Sequence, residues 1–147
     1  MTLLVGAAAL EAFAARLAPF VYAGDTIALN GELGAGKTSL ARGLLRGLGH
    51  VDEVPSPTFT LMQVYEPPAV RLPVWHVDLY RIDQPADADA LALEEGGHAL
   101  TLIEWPERLG DRLDARALVI RIEGAGTASR RLTAHVPPAW EGRWPPR

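Results

Sequence analysis

Eight consecutive residues, Gly31-Glu32-Leu33-Gly34-Ala35-Gly36-Lys37-Thr38, match the phosphate-loop pattern G-x-x-x-x-G-K-[ST] at every fixed position. In such a loop successive backbone N–H groups curl around a phosphate, and glycines permit the curl. The N-terminus of a following helix adds roughly half a positive charge at the same spot. Lys37 has the reach to meet β- and γ-phosphates, and the Thr38 hydroxyl is a hard oxygen suited to Mg²⁺. Of the 14 basic residues Lys37 is the only lysine. A compact, strongly hydrated point charge is thus kept at the one place where a polyphosphate would need it.

Two acids downstream are candidates to complete this chemistry. Asp78 closes an apolar run, Leu72 to Tyr80, and Glu104 closes another, Ala99 to Trp105. A carboxylate among apolar residues is costly to bury without a partner, and a divalent cation is one such partner. Glu104 could equally orient an attacking water. Ordinary ion pairs, Asp78 with Arg81 and Glu104 with Arg108, are the plainer alternatives. Lys37, Asp78 and Glu104 are the catalytic candidates, and Thr38, Asp78 and Glu104 the metal candidates. Candidates for nucleotide contact are Glu32, Leu33, Gly34, Ala35, Gly36, Lys37, Thr38 and Ser39, with Ser56 and Thr58 from the segment where Pro55 and Pro57 stiffen the chain. His76, on the same run as Asp78, reads as a hydrogen-bonded structural residue.

These residues need elements to hold them. Asp25–Asn30 reads as a buried strand ahead of the loop, and Ser39–Leu48 as a helix with Leu40, Leu44 and Leu48 on one face. Residues 7–22 place Leu10, Phe13, Ala14, Leu17, Phe20 and Val21 on one helical stripe, which predicts a continuous amphipathic helix rather than a signal peptide. Residues 58–65 and 72–80 predict an antiparallel pair of strands around Glu66-Pro67-Pro68-Ala69. On the second strand Trp75, Val77 and Leu79 alternate with Val74, His76, Asp78 and Tyr80. Residues 83–95 predict a helix, 99–105 a central strand covered on both sides, and 117–123 with 131–136 a hairpin through Gly124-Ala125-Gly126. The tail from Pro137, with four prolines and two tryptophans, predicts irregular structure.

The whole chain sets limits on function. Its 147 residues suit one domain with a real core, and 48% hydrophobic with 22% charged residues is ordinary for a globular protein. No apolar run approaches the roughly 18–20 residues of a membrane span. The absence of cysteine excludes disulfides and thiolate chemistry. A net charge of −4 lacks the basic surplus of a protein that grips nucleic acid alone. These features predict a cytoplasmic protein.

The words Gly31–Thr38, Ser56-Pro57-Thr58-Phe59, His76-Val77-Asp78-Leu79-Tyr80-Arg81 and Ile103-Glu104-Trp105, in this order, resemble the TsaE family over about residues 5–136. That family comprises small bacterial ATPases needed for N6-threonylcarbamoyladenosine synthesis on transfer RNA. The resemblance implies an α/β fold, a P-loop NTPase-like three-layer sandwich with a mixed parallel/antiparallel central sheet. It implies weak Mg²⁺-dependent ATP hydrolysis tied to association with TsaB and TsaD, tRNA being reached only through that assembly. It also implies that Thr38 ligates Mg²⁺, that Ser56–Phe59 is a switch loop, and that Asp78 and Glu104 are essential acids. Trp105 would lie near the nucleotide and Arg131 would contact it. Where the family often has a base-contacting threonine, this chain has Leu10. No guanine-reading N-K-x-D word occurs, which favours ATP/ADP as the nucleotide. A small nucleoside or metabolite kinase would use the same loop and would need a lid, for which Arg108, Arg112 and Arg116 are the candidates. A nucleotide-binding module without hydrolysis is a third reading.

Overall fold

The computed structural model describes residues 2–55 and 61–146. Among them run β1 (Thr2–Gly6), α1 (Leu10–Ala15), β2 (Thr26–Gly31), α2 (Lys37–Gly47), β3 (Met62–Tyr65), β4 (Val74–Asp78), β5 (Leu100–Glu104), β6 (Leu118–Glu123) and β7 (Ser129–His135). The strands form one sheet in the order β1-β7-β6-β2-β5-β4-β3. The four inner strands β6, β2, β5 and β4 are mutually parallel, whereas β7 and β3 flank them antiparallel and β1 is antiparallel to β7. This is a mixed sheet of the P-loop NTPase-like α/β class, and the carboxyl ends of its parallel strands open on one edge.

Both faces of the centre are covered, which explains the unbroken apolar runs of β2 and β5. All five residues of β5 are buried. The larger core lies between the helices and one face, where Leu40, Leu44 and Leu45 of α2 meet Ile27, Leu29, Leu102 and Ile120. On the other face Val77, Leu79, Ile82, Ala88, Ile103 and Leu109 form a smaller cluster under short 3-10 segments. Val74 belongs to the first cluster and Val77 to the second, as the alternation along β4 requires. Both expected strand pairs, β3 with β4 and β6 with β7, are present.

Three segments depart from the sequence expectation. The stripe over residues 7–22 is buried as anticipated, but a continuous helix does not form. A 3-10 turn (Ala7–Ala9), the short α1 and a second 3-10 turn (Ala18–Phe20) replace it. Pro19 sits inside that second turn, and a proline there removes an N–H that a continued α-helix would use. Ahead of it, Thr2–Gly6 is a strand, with Leu3 and Val5 turned to the core and Leu4 exposed. Residues 83–95 also form no α-helix. They make 3-10 segments Pro85–Leu91 and Leu93–Glu95 around Ala92, whose φ is +49°. The Pro-Ala-Asp-Ala-Asp-Ala pattern has period two, so it offers no helical stripe for burial; Ala88 alone of the first segment is buried.

The tail forms a single 3-10 turn, Pro138–Trp140, and is nonetheless packed. Trp140 and Trp144 are buried in the main core, with Trp144 edge-on to Phe13 at 5.7 Å between centroids. The Arg143 guanidinium donates to both Asp25 oxygens at 2.6 and 3.1 Å, fastening the tail to the start of β2.

The two helices pack unusually closely because Gly43 of α2 has no side chain. A Cβ there would lie 2.2 Å from the Glu11 carbonyl oxygen and 2.7 Å from Glu11 Cα, both backbone atoms. Glycine-to-alanine in a helix interior ordinarily stabilises by about 0.5–1 kcal/mol. Here overpacking, on the order of 1–3 kcal/mol, outweighs that gain. Gly43→Ala should therefore lower the denaturation midpoint in urea; an increase would show that α1 can move away from α2 without cost.

Candidate functional site

The loop 31–36 leaves the carboxyl end of β2 and feeds directly into α2. Gly34 and Gly36 hold φ of +79° and +117°, a region that side-chain-bearing residues rarely occupy. Gly31 is required for a different reason: a Cβ would come within 2.7 Å of the Ile122 carbonyl oxygen on β6. Leu10 lies beneath the loop, buried, its Cδ2 only 2.5 Å from where a Gly36 Cβ would be. It is thus a packing residue here. The N-cap of α2 is Gly36, and no side chain caps the helix. The first-turn N–H groups are therefore left for a ligand, which is the arrangement that attracts an anion.

Around this loop is a cavity of about 310 Å³ lined by Leu33, Gly34, Gly36, Lys37, Thr38, Ser39, Asp78, Tyr80, Glu104 and Trp105. Lys37 is 5% exposed, and its ammonium donates to the carbonyls of Gly31 and, at 2.9 Å, Glu32. It also lies 4.2 Å from the Trp105 ring centroid, in cation–π range. Burial depresses the Lys37 pKa below the ordinary lysine value, against the opposing pull of Glu104, Glu107, Asp78 and Glu32. Trp105 adopts a left-handed conformation (φ +62°), which turns the chain out of β5 and sets its ring against Tyr80, 4.9 Å away.

Asp78 and Glu104 are register partners at the ends of β4 and β5, each 2% exposed. Asp78 Oδ1 accepts from the Tyr80 amide at 2.9 Å. Glu104 accepts from the Thr38 hydroxyl at 3.1 and 3.3 Å, and its Oε2 lies 2.6 Å from His76 Nε2. Arg108, offered as an ion-pair partner of Glu104, lies instead over the Tyr80 ring at 6.0 Å. A hydroxyl and two carboxylates are hard oxygen donors, and Mg²⁺ is characteristically held by one or two carboxylates with substrate phosphates completing its shell. The donor set fits that ion, and the uncapped cradle fits a polyphosphate. Thr38, Asp78 and Glu104 would hold the metal.

Most of the residues singled out from sequence are gathered here, from Leu33 to Ser39 and on to Asp78, Glu104 and Trp105. Glu32 contributes a backbone carbonyl, and Ala35 is buried within the loop. Ser56 and Thr58 lie outside the described residues. Arg131 is exposed on β7 and does not line the cavity. Its neighbour Arg130 reaches the loop instead, donating to the Ala35 carbonyl at 2.8 Å and to the Gly124 carbonyl at 2.9 Å. Strand parity carried that signal: Arg130 shares a face with buried Leu132, and Arg131 has the opposite one. Two of the three lid candidates are paired elsewhere, while Arg108 lies over Tyr80 at the edge of the cavity. Arg112 pairs with Asp89 at 2.9 Å and Arg116 with Asp114 at 3.3 Å. Arg112, Asp89 and Asp114 border a separate cavity of about 320 Å³ floored by Ile103 and Leu109.

A parallel-centred α/β sheet with a glycine loop running into a helix N-terminus, and acids at neighbouring strand ends, defines a protein of the P-loop NTPase-like class. Comparison with known proteins narrows the class. The model of the family described as threonylcarbamoyl adenosine biosynthesis protein TsaE matches residues 4–132. The tRNA threonylcarbamoyladenosine biosynthesis protein TsaE of Bacillus subtilis (strain 168) is 37% identical over 125 residues, covering 84% of this chain and 77% of that protein. The protein of the same description from Synechocystis sp. is 42% identical over 100 residues, 64% of this chain and 62% of the relative. The crystal structure of Bacillus subtilis YdiB superposes with a TM-score of 0.73 at 32% identity, covering 91% of this chain and 84% of that one. The chain belongs to the TsaE family. Among its described residues no helix is long and apolar enough to cross a membrane.

Lys37 gives a prediction for the ligand-free protein. Its depressed pKa means the unfolded chain binds more protons between the folded value and 10.5, so stability rises with pH across that window. Lys37→Met removes the buried charge and should lack this rise, with a melting temperature at neutral pH equal to or above that of the parent. Triphosphate affinity should fall by about 2–3 kcal/mol, roughly 30- to 150-fold, for the lost charge-assisted bonds. A sharply lower melting temperature would show that Lys37 is chiefly a structural strut.

Proposed function

We propose that this member of the TsaE family binds ATP with Mg²⁺ in the loop-31–38 cradle and hydrolyses it slowly. The hydrolysis serves formation of the threonylcarbamoyl group on adenosine 37 of tRNAs that read ANN codons. The observation that carries the reading is the bond from Thr38 to Glu104. It ties the hydroxyl that ends the phosphate loop to a buried carboxylate, at the point where a metal ion and an attacking water would meet. Asp78, in register beside Glu104, supplies a second acid to that point.

The acting partners in this reading are TsaB and TsaD, with tRNA held by the assembly. Support comes from the family membership and from a net charge of −4, too acidic for this chain to bind a polyanionic RNA alone. ATP is preferred to GTP because no N-K-x-D word is present. Of the arginines a kinase lid would need, Arg112 and Arg116 are paired with Asp89 and Asp114, which leaves only Arg108, over Tyr80, beside the cradle.

In the chemistry proposed, Lys37 leaves the loop carbonyls and moves onto the β- and γ-phosphate oxygens. The amides at the start of α2 receive the phosphate charge, Glu104 orients the attacking water, and Trp105 limits water access above Lys37. Mg²⁺, when bound, would neutralise charge on the phosphate oxygens. Partner association would complete the site, as second proteins do for slow phosphate-loop hydrolases.

Phosphate release from ATP should be well below the ~1–100 s⁻¹ of kinases for the protein alone and should rise when TsaB and TsaD are added. Glu104→Ala should cut that turnover at least about a hundredfold, the order seen when a transition-state contact is removed, with ADP affinity changed by less than about threefold. Unchanged turnover in the reconstituted assembly would favour a binding module. Phosphorylated nucleoside appearing faster than free phosphate would favour the kinase.

A further inference from the structure

We infer that His76 is a positioning residue for Glu104, setting which carboxylate oxygen faces the cradle. The inference rests on the proposed hydrolysis for its kinetic consequences only. It is read from a side chain that lies outside the phosphate-loop motif.

His76 is fully buried on β4, and its register partner on β5 is Leu102. Glu104 is two residues further along β5 on the same face, a diagonal neighbour within reach of a long side chain. Its cross-strand neighbours are Leu102 on β5 and Gln63 on β3, and the Gln63 Oε1 already accepts from the Tyr65 hydroxyl at 2.9 Å. The acceptor available to the ring is Glu104 Oε2, 2.6 Å from Nε2. The other ring nitrogen, Nδ1, is sealed from water and has no hydrogen-bond partner.

That asymmetry assigns the proton. An ionised carboxylate only accepts, so Nε2 carries the hydrogen and Nδ1 keeps a lone pair. The reverse arrangement would leave a buried N–H without an acceptor, the costlier orphan of the two.

The Thr38 bond cannot fix the carboxylate by itself. Its hydroxyl lies 3.1 Å from Oε1 and 3.3 Å from Oε2, a nearly even fork that permits the group to turn. The short bond from His76 falls on Oε2 alone and breaks the symmetry. Oε2 is thereby held inward against β4, and Oε1 is presented to Thr38 and the cavity. Outer partners of this kind commonly govern activity by about 10- to 100-fold without touching substrate.

Two substitutions and a spectrum test this. Gln places a donor nitrogen close to the position of Nε2, whereas Leu fills the space without one. In the TsaB–TsaD assembly His76→Leu should lower kcat for ATP by about 10- to 100-fold, with KM changed by less than about threefold. His76→Gln should recover at least about tenfold of that loss. A side chain needed only for packing would give the opposite ranking, Leu tolerated and Gln no better, and that result overturns the inference. The histidine-ring ¹⁵N spectrum of the ligand-free, unsubstituted protein needs neither hydrolysis nor a variant. It should show His76 protonated at Nε2 and bare at Nδ1, and Glu104→Leu should change that pattern. A proton on Nδ1, or a pattern indifferent to Glu104→Leu, also overturns it. If the unsubstituted protein hydrolyses no ATP in the assembly, the proposed function fails while the ring spectrum still decides the role of His76.

Discussion

Two carboxylates carried side by side into a water-poor strand edge impose the governing constraint. Asp78 and Glu104 are in register on adjacent parallel strands, each 2% exposed. Like charges in such a place repel strongly, and each ion loses its hydration. The structure answers with donors from every neighbouring element: the Tyr80 amide, the Thr38 hydroxyl and the His76 ring. Lys37 adds a positive charge close by, in the cavity that both acids line. The parallel pairing of β4 with β5 is what makes the acids neighbours, and residues 79–99 are the crossover that permits it. That crossover includes the 3-10 segments Pro85–Leu91 and Leu93–Glu95, and Leu79, Ile82 and Ala88 anchor it in the smaller core.

The loop strand is secured at both ends. At its start Asp25 accepts from the Tyr22 amide at 2.7 Å and from the Arg143 guanidinium, which also lies 4.0 Å from the Trp140 ring centroid. At its end the Trp105 amide donates to the Leu29 carbonyl, coupling the turn after β5 to β2. Arg130 then holds the loop from the β7 side through Ala35. A loop that must offer amides to a ligand cannot satisfy itself internally, so its position has to be imposed by what surrounds it. Leu10 beneath Gly36 is part of the same support.

The site was more legible in the sequence than the elements around it, for a physical reason. The loop's demands act on residue type at fixed spacing: positive φ at Gly34 and Gly36, a cation at 37, a hydroxyl at 38. The strand-end acids were visible because carboxylates in apolar runs are expensive. Boundaries were harder. The stripe over 7–22 gave the buried face correctly, yet periodicity cannot see that Pro19 breaks the hydrogen bonding beneath it. Residues 83–95 had acids and a proline suited to a helix start but no apolar stripe, and propensity without burial does not hold a helix. The tail's tryptophans showed no period at all; their burial depends on a groove made by α1 and the sheet, which only the folded chain creates. Arg130 reaches the loop while Arg131 is exposed on the opposite face, since on a strand one residue is the whole difference between faces.

The resting position of Lys37 has a consequence for what the cradle can select. Its ammonium is already satisfied by two carbonyls of its own loop and by the Trp105 ring. An uncharged ligand, or the ribose and base of a nucleotide, brings nothing that improves on these contacts. A polyphosphate would, because the uncapped turn of α2 and the lysine could both donate to its oxygens, and charge-assisted bonds exceed neutral ones in strength. Leu10, buried beneath Gly36, offers no hydroxyl to a ligand. In the proposed function, selection in this cradle would fall on the charge and geometry of the phosphate chain, and the lysine would change partners for a ligand that carries both.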